Sequence, residues 1–93
     1  MKTSKINTID ASILFLDAKD VLSNEDARVL RDHDLRRGLI LGNMYKEKSR
    51  LIYSNEEGVL NKINARITAL TEKNVVLENN ILIPIHRVHD VIV

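Results

Sequence analysis

His86 and His89 lie three residues apart. On one helical turn they would share a face and offer two imidazoles to a metal. Two donors make an incomplete site, and no third cluster accompanies them. Asp90 would point elsewhere if 89–93 is extended. The pair therefore reads as histidines at the rim of a barrel. Asp32-His33-Asp34 has the composition of a tuned imidazole. Adjacent helical residues lie about 100° apart, so the triplet reads instead as exposed polarity. Tyr45 stands among Lys46, Lys48 and Arg50. A tyrosine among bases could stack a nucleobase while the bases hold phosphate. The alternative is a ring packed over a helix–barrel joint. No nucleophile elbow, P-loop, dinucleotide fingerprint or zinc-protease motif occurs. The expectation is a protein that is not an enzyme and uses no cofactor and no metal.

Ninety-three residues make a single domain, 1–93, with a modest core. The apolar fraction is 44%, and Phe15, Tyr45 and Tyr53 are the only aromatics, so the core must be aliphatic. There is no cysteine, which excludes disulfides and thiolate chemistry and suits a reducing cytoplasm. No apolar run approaches the roughly 18 residues that would span a bilayer. Asp10 interrupts before the apolar run Ile13–Leu16, so the start does not read as a secretory signal. These features predict a cytoplasmic protein with no membrane partner. The net charge of +1 excludes a strongly cationic nucleic-acid binder. Residues 28–50 nonetheless hold seven bases against three acids. Such a segment can steer an anionic partner or simply be a solvated helix face.

The elements that would position these residues follow from punctuation and periodicity. Residues 1–9 read as a flexible tail and 10–43 as helical. Asp10 can cap a helix at 11–22, although Ile13–Leu16 could equally be a strand. Ser23 is the start signal for a second helix from Asn24, with Glu25 and Asp26 complementing its dipole. Ala27, Leu30 and Leu35 would face inward, and Gly38 or Gly42-Asn43 would end it. From residue 44 on, the chain reads as a small β-barrel of five strands. These are 48–54, 59–70, 74–78, 81–85 and 89–93. Ile63, Ala65, Ile67 and Ala69 alternate with polar residues, which marks a strand buried on one face. Its length suits a bend that serves two parts of one sheet. Asn55–Gly58, Thr71–Asn74 and Asn79-Asn80 are the turns. Pro84 belongs at an edge or a strand end. His86–Val88 suits one helical turn.

A helix followed by five antiparallel strands, with a helical turn before the last, resembles the Sm-like barrel of RNA-binding proteins. Asn74-Val75-Val76-Leu77-Glu78 looks like the end of the first Sm motif. The loop aromatic, the preceding Asp and the Arg-Gly of that family have no counterparts at Thr71–Lys73 and Pro84-Ile85. Its base-holding site is therefore not carried over. The chain is also similar to short uncharacterised bacterial proteins, through Leu41-Gly42-Asn43, Tyr45–Lys48, Thr71–Val75 and Ile83–His86. That similarity implies no activity. A likeness to bacterial inhibitors of the Rho termination factor rests on barrel architecture alone.

The predicted fold class is thus α+β, with N-terminal helices on a small, five-stranded, strongly bent antiparallel barrel. Its last strands are apolar on both faces, which calls for a cover on the second face. The function expected is a non-catalytic, self-associating binding module engaging a protein partner, the chain being a homo-oligomer. Val76, Leu82 and Ile92 are the candidate self-association residues. An Sm-like RNA binder is the alternative. Arg36, Arg37, Tyr45, Lys46, Lys48, Lys73, His86 and Arg87 are the candidate RNA or partner contacts.

Overall fold

The computed structural model describes residues 19–93. Helix α1 (Glu25–Tyr45) comes first, followed by β1 (Ser49–Ser54), β2 (Leu60–Ala65), β3 (Ile67–Leu70), β4 (Asn74–Leu77), β5 (Ile81–Pro84) and β6 (Val88–Ile92). The strands form two antiparallel sheets of three, ordered β2-β1-β6 and β3-β4-β5. The α+β class holds, but six strands replace the expected five, and the sheets do not close into a barrel. Among the described residues there is one α-helix; the expected helix at 11–22 lies mostly outside them, and 19–22 are not helical.

The extra strand arises at Arg66. Its N–H donates to the Glu78 carboxylate at 3.1 Å, and its carbonyl accepts from the Glu78 N–H at 3.0 Å. Glu78 thereby takes both main-chain groups of Arg66. The expected strand 59–70 breaks there into β2 and β3, one serving each sheet. The side-chain phase survives the break, because Ala65 and Ile67 are both buried. The turns behave as their residues dictate. The Asn55 side chain accepts from the N–H groups of Glu57 and Val59, and Gly58 takes a φ of 81°. Thr71 Oγ1 accepts from the Asn74 N–H at 2.9 Å. Asn79 and Asn80 are both left-handed, at φ 66° and 61°. Pro84 ends β5, an edge strand where no ladder bond needs its missing N–H.

Asn24, one residue past the expected cap, accepts from the Asp26 and Ala27 N–H groups at 2.7 and 3.2 Å. Neither glycine pair ends the helix. The buried face of α1 is Arg31, Leu35, Gly38 and Gly42, and the chain turns only at left-handed Lys46, φ 58°. The glycines let the helix lie close on the sheets. A Cβ on Gly42 would stand 2.5 Å from the Ile67 carbonyl oxygen; one on Gly38 would stand 2.8 Å from the end of the Ile67 side chain and 2.9 Å from the Ser49 hydroxyl. Leu30, expected inward, is 60% exposed, because the inward place one residue on belongs to Arg31. The core between helix and sheets is aliphatic: Leu35, Leu51, Ile67, Val75, Leu77, Ile83, Val88 and Val91.

Two substitutions separate these contacts. Gly42→Ala forces the helix away from fixed backbone and should cost about 1–3 kcal/mol. Gly38→Ala meets only side-chain atoms and gains helix propensity, so it should cost less than Gly42→Ala. Urea unfolding measures both, and equal losses would contradict the close-approach account. Ile67→Ala in the same assay should cost about 2–5 kcal/mol.

Candidate functional site

The basic segment is not one surface. Arg31 is withdrawn into the fold, donating to both oxygens of Asp20 at 2.8 and 2.6 Å and to the Val88 carbonyl at 3.0 Å. Arg28 donates to the Leu22 carbonyl at 2.8 Å. Arg36, Arg37, Lys46, Lys48 and Arg50 remain exposed. Arg36 pairs with Asp32 one turn earlier at 3.2 Å, and Arg50 donates to Asn64 across the strand pair at 3.3 Å. Tyr45 is 63% exposed, so it does not pack over the joint in the way a buried ring would.

Sheet register divides the candidate contacts further. Ile67 opposes Leu77, and Leu77 opposes Ile81, at one end of the second sheet. The C-terminal turn of α1 lies there, with Gly42 against Ile67. Tyr45, Lys46 and Lys48 follow directly. Asn74 opposes Pro84 at the other end. There the Ile85 N–H donates to the Lys73 carbonyl at 2.8 Å, drawing the Thr71–Asn74 turn onto the 3-10 turn Ile85–Arg87. Lys73 is thereby brought beside His86 and Arg87. The two basic groups sit at opposite ends of one sheet.

The histidines also part. His86 lies in the 3-10 turn, and its Nε2 is buried with no hydrogen-bond partner. His89 lies in β6, with Nε2 3.1 Å from the Ser54 hydroxyl. They do not share a helical turn, and among the described residues no three acid or histidine side chains gather as a metal site. His33 is exposed and 3.7 Å from the Asp34 carboxylate, beyond hydrogen-bonding reach.

The apolar candidates lie on the outer phase of the strands. Val76 and Leu82 oppose one another across β4 and β5, with Val76 half-buried and Leu82 59% exposed. Ile92 opposes Arg50 in the other sheet and is 47% exposed. Their inward neighbours Val75, Leu77, Ile83 and Val91 are buried. A register shift opposite Ile52 and Tyr53 explains why Val88 and Val91, three apart, both face inward. A second exposed apolar surface was not expected: Val29, Leu30, Ile40 and Met44 on the outward face of α1. Of these, Leu30 and Ile40 were expected on the inward face.

No helix among the described residues is long and apolar enough to cross a membrane. Comparison with protein-family models, curated proteins and solved structures gives no match to this chain.

The one clear electrostatic perturbation is at Asp20. Burial alone would raise its pKa. The Arg31 hydrogen bond, the Leu22 N–H at 2.8 Å and the charges of Arg31 and Arg28 outweigh that and hold it below its ordinary 3.8. A depressed carboxylate contributes stability that is complete above the unfolded value and is lost as pH falls through the folded one. Asp20→Asn should therefore lower stability at neutral pH, by about 2 kcal/mol because Asp20 keeps some contact with water. It should also flatten the loss below about pH 4. Urea midpoints from pH 7 to pH 2 test this. An unchanged acid limb would show that the pair does not govern it.

Proposed function

We propose that this chain is a non-catalytic, self-associating binding module that engages a protein partner through the outer face of its C-terminal strands. One observation carries the reading. Leu82 and Ile92 are large, apolar and exposed, on strands whose other face buries Ile83, Val88 and Val91. Helix α1 packs against Ile67, Ser49 and Val93. A short chain gains stability by burying such residues against a second copy. A reducing, cytoplasmic setting accords with the absence of cysteine. The strand order β6-β1-β2, continued through Arg66 into β3-β4-β5, supports an opened relative of the Sm-like barrel. The 3-10 turn before the last strand supports it too.

Sedimentation at micromolar concentration is the test. The parent should exceed monomer mass, and Ile92→Lys and Leu82→Lys should return it to monomer while remaining folded. A monomeric parent would end this reading.

RNA binding is the second reading, favoured by the exposure of Tyr45 beside Lys46 and Lys48. Changing Arg36, Arg37 and Lys46 together to Gln should weaken binding to mixed single-stranded RNA and flatten its salt slope. No binding by the parent at low salt would remove it.

A further inference from the structure

The side chain of Arg66 is half-buried and lies against the last turn of α1. Its Cγ is 2.9 Å from where a Cβ on Gly42 would stand. Further along the same side chain, Nε is buried and has no hydrogen-bond partner. Among the described residues its guanidinium has no ion pair. Glu78 is close, but its carboxylate accepts from the Arg66 main-chain N–H at 3.1 Å. Arg31 also leaves Nε unpaired, yet its terminal nitrogens give three bonds to Asp20 and Val88. Buried donors ordinarily have partners, so a guanidinium packed this way without one points to a group from outside the chain.

Other cations are placed round it. Ser49 and Ala65 are the end pair of the β1–β2 ladder, and Lys48 and Arg66 are the next residues on either side. Ser49 and Ala65 are both buried, so Lys48 and Arg66 fall on the opposite phase. Lys46 follows Gly42 by one helical turn and caps α1. Tyr45, Lys46, Glu47 and Lys48 are all exposed. Arg50 lies further along β1 and donates to Asn64, a neutral group. Against these bases stand Glu47, Glu78 and the negative end of α1, where Lys46 sits.

We propose that Arg66, Lys46 and Lys48 bind the phosphate of a nucleotide where the chain crosses between the sheets, with Tyr45 placed to stack on the base. The guanidinium supplies a planar fork that matches phosphate oxygens, and the two ammonium groups supply charge. Tyr45 is 63% exposed, and an exposed ring beside such a site suits a nucleobase. The phosphate can belong to an RNA strand or to a free mononucleotide. The inference shares Tyr45 and Lys46 with the RNA reading and rests on it only where the source is a strand. A purely structural Arg66 would instead offset the negative end of α1, and would move stability without moving binding.

Arg66→Met tests the site, because it keeps an unbranched stem against Gly42 and removes the guanidinium. With the full chain at low salt, anisotropy of a labelled mixed single-stranded RNA reads one source. Amide shifts on adding uridine or adenosine monophosphate read the other. The variant should weaken whichever the parent binds by about tenfold. For RNA it should also flatten the salt slope by about 0.7, the loss of one phosphate contact. Tyr45→Ala should weaken the nucleotides and leave inorganic phosphate, added in the same titration, unchanged. If Arg66→Met fails to fold by circular dichroism, Lys48→Gln, at an exposed position, carries the same expectations. Equal binding by the parent and the folded variants, with only the unfolding midpoint moved, would overturn the proposal and assign Arg66 to the helix end. That result with RNA bound would leave the RNA reading standing. A parent that binds mononucleotides but no RNA would end the RNA reading and support this site. Binding of neither would end both.

Discussion

At Arg66 the backbone passes from one sheet to the other, and both of its main-chain hydrogen bonds go to Glu78. A buried backbone group without a partner is costly, so a strand leaves a ladder only where something else satisfies it. Glu78 does so with its carboxylate and its own N–H. The same place sets the position of the helix. Gly42 sits against the Ile67 carbonyl so closely that only a hydrogen in place of Cβ fits. The crossing of α1, the separation of the sheets and the burial of Ile67 between them are therefore one arrangement.

The opposite end of α1 is held by charge. Arg31 occupies a helix position that would ordinarily be apolar, and its side chain is 6% exposed. A buried guanidinium is tolerable only when its donors are met. Two meet Asp20 and one of these also meets Val88, while Nε has no partner. The first described residues are thus tied to the helix and the last strand at once. Small apolar contacts at one end and an ion pair at the other orient a helix whose own outward face is half apolar.

Much of the strand half was legible. Alternation at 63–69 gave the buried phase, and Asn55, Gly58, Thr71, Asn79 and Asn80 turn the chain where their local hydrogen bonding predicts. The break at Arg66 was not legible, because its cause lies in an acid twelve residues away. The helix was read with its face rotated. Leu35 is buried as the apolar rule predicts and Leu30 is not, whereas Arg31, Gly38 and Gly42 are inward for reasons of pairing and space that pattern cannot express. The basic cluster likewise looked continuous in sequence. Pairing with Asp20 removed Arg31 from solvent, and register set Lys73, His86 and Arg87 at the other end of the second sheet from the residues that follow α1.

The surface that remains divides into apolar and charged parts. Exposed large apolar residues fall on the outward face of α1, at Val59 and Leu60 where β2 begins, and on β5 and β6. They are separate surfaces, since the helix lies between the sheets and the first of them. Scattered apolar residues are ordinary on any protein, but those of α1 share one face of one element. The acids and bases are arranged differently. Asp32 neutralises Arg36 within the helix, and Asp20 neutralises Arg31 beneath it. The charges that remain exposed therefore frame the apolar faces more than they form a field of one sign. Long-range steering would need the seven bases of residues 28–50 to act together, and Arg31 is buried against Asp20 while Arg36 is paired with Asp32.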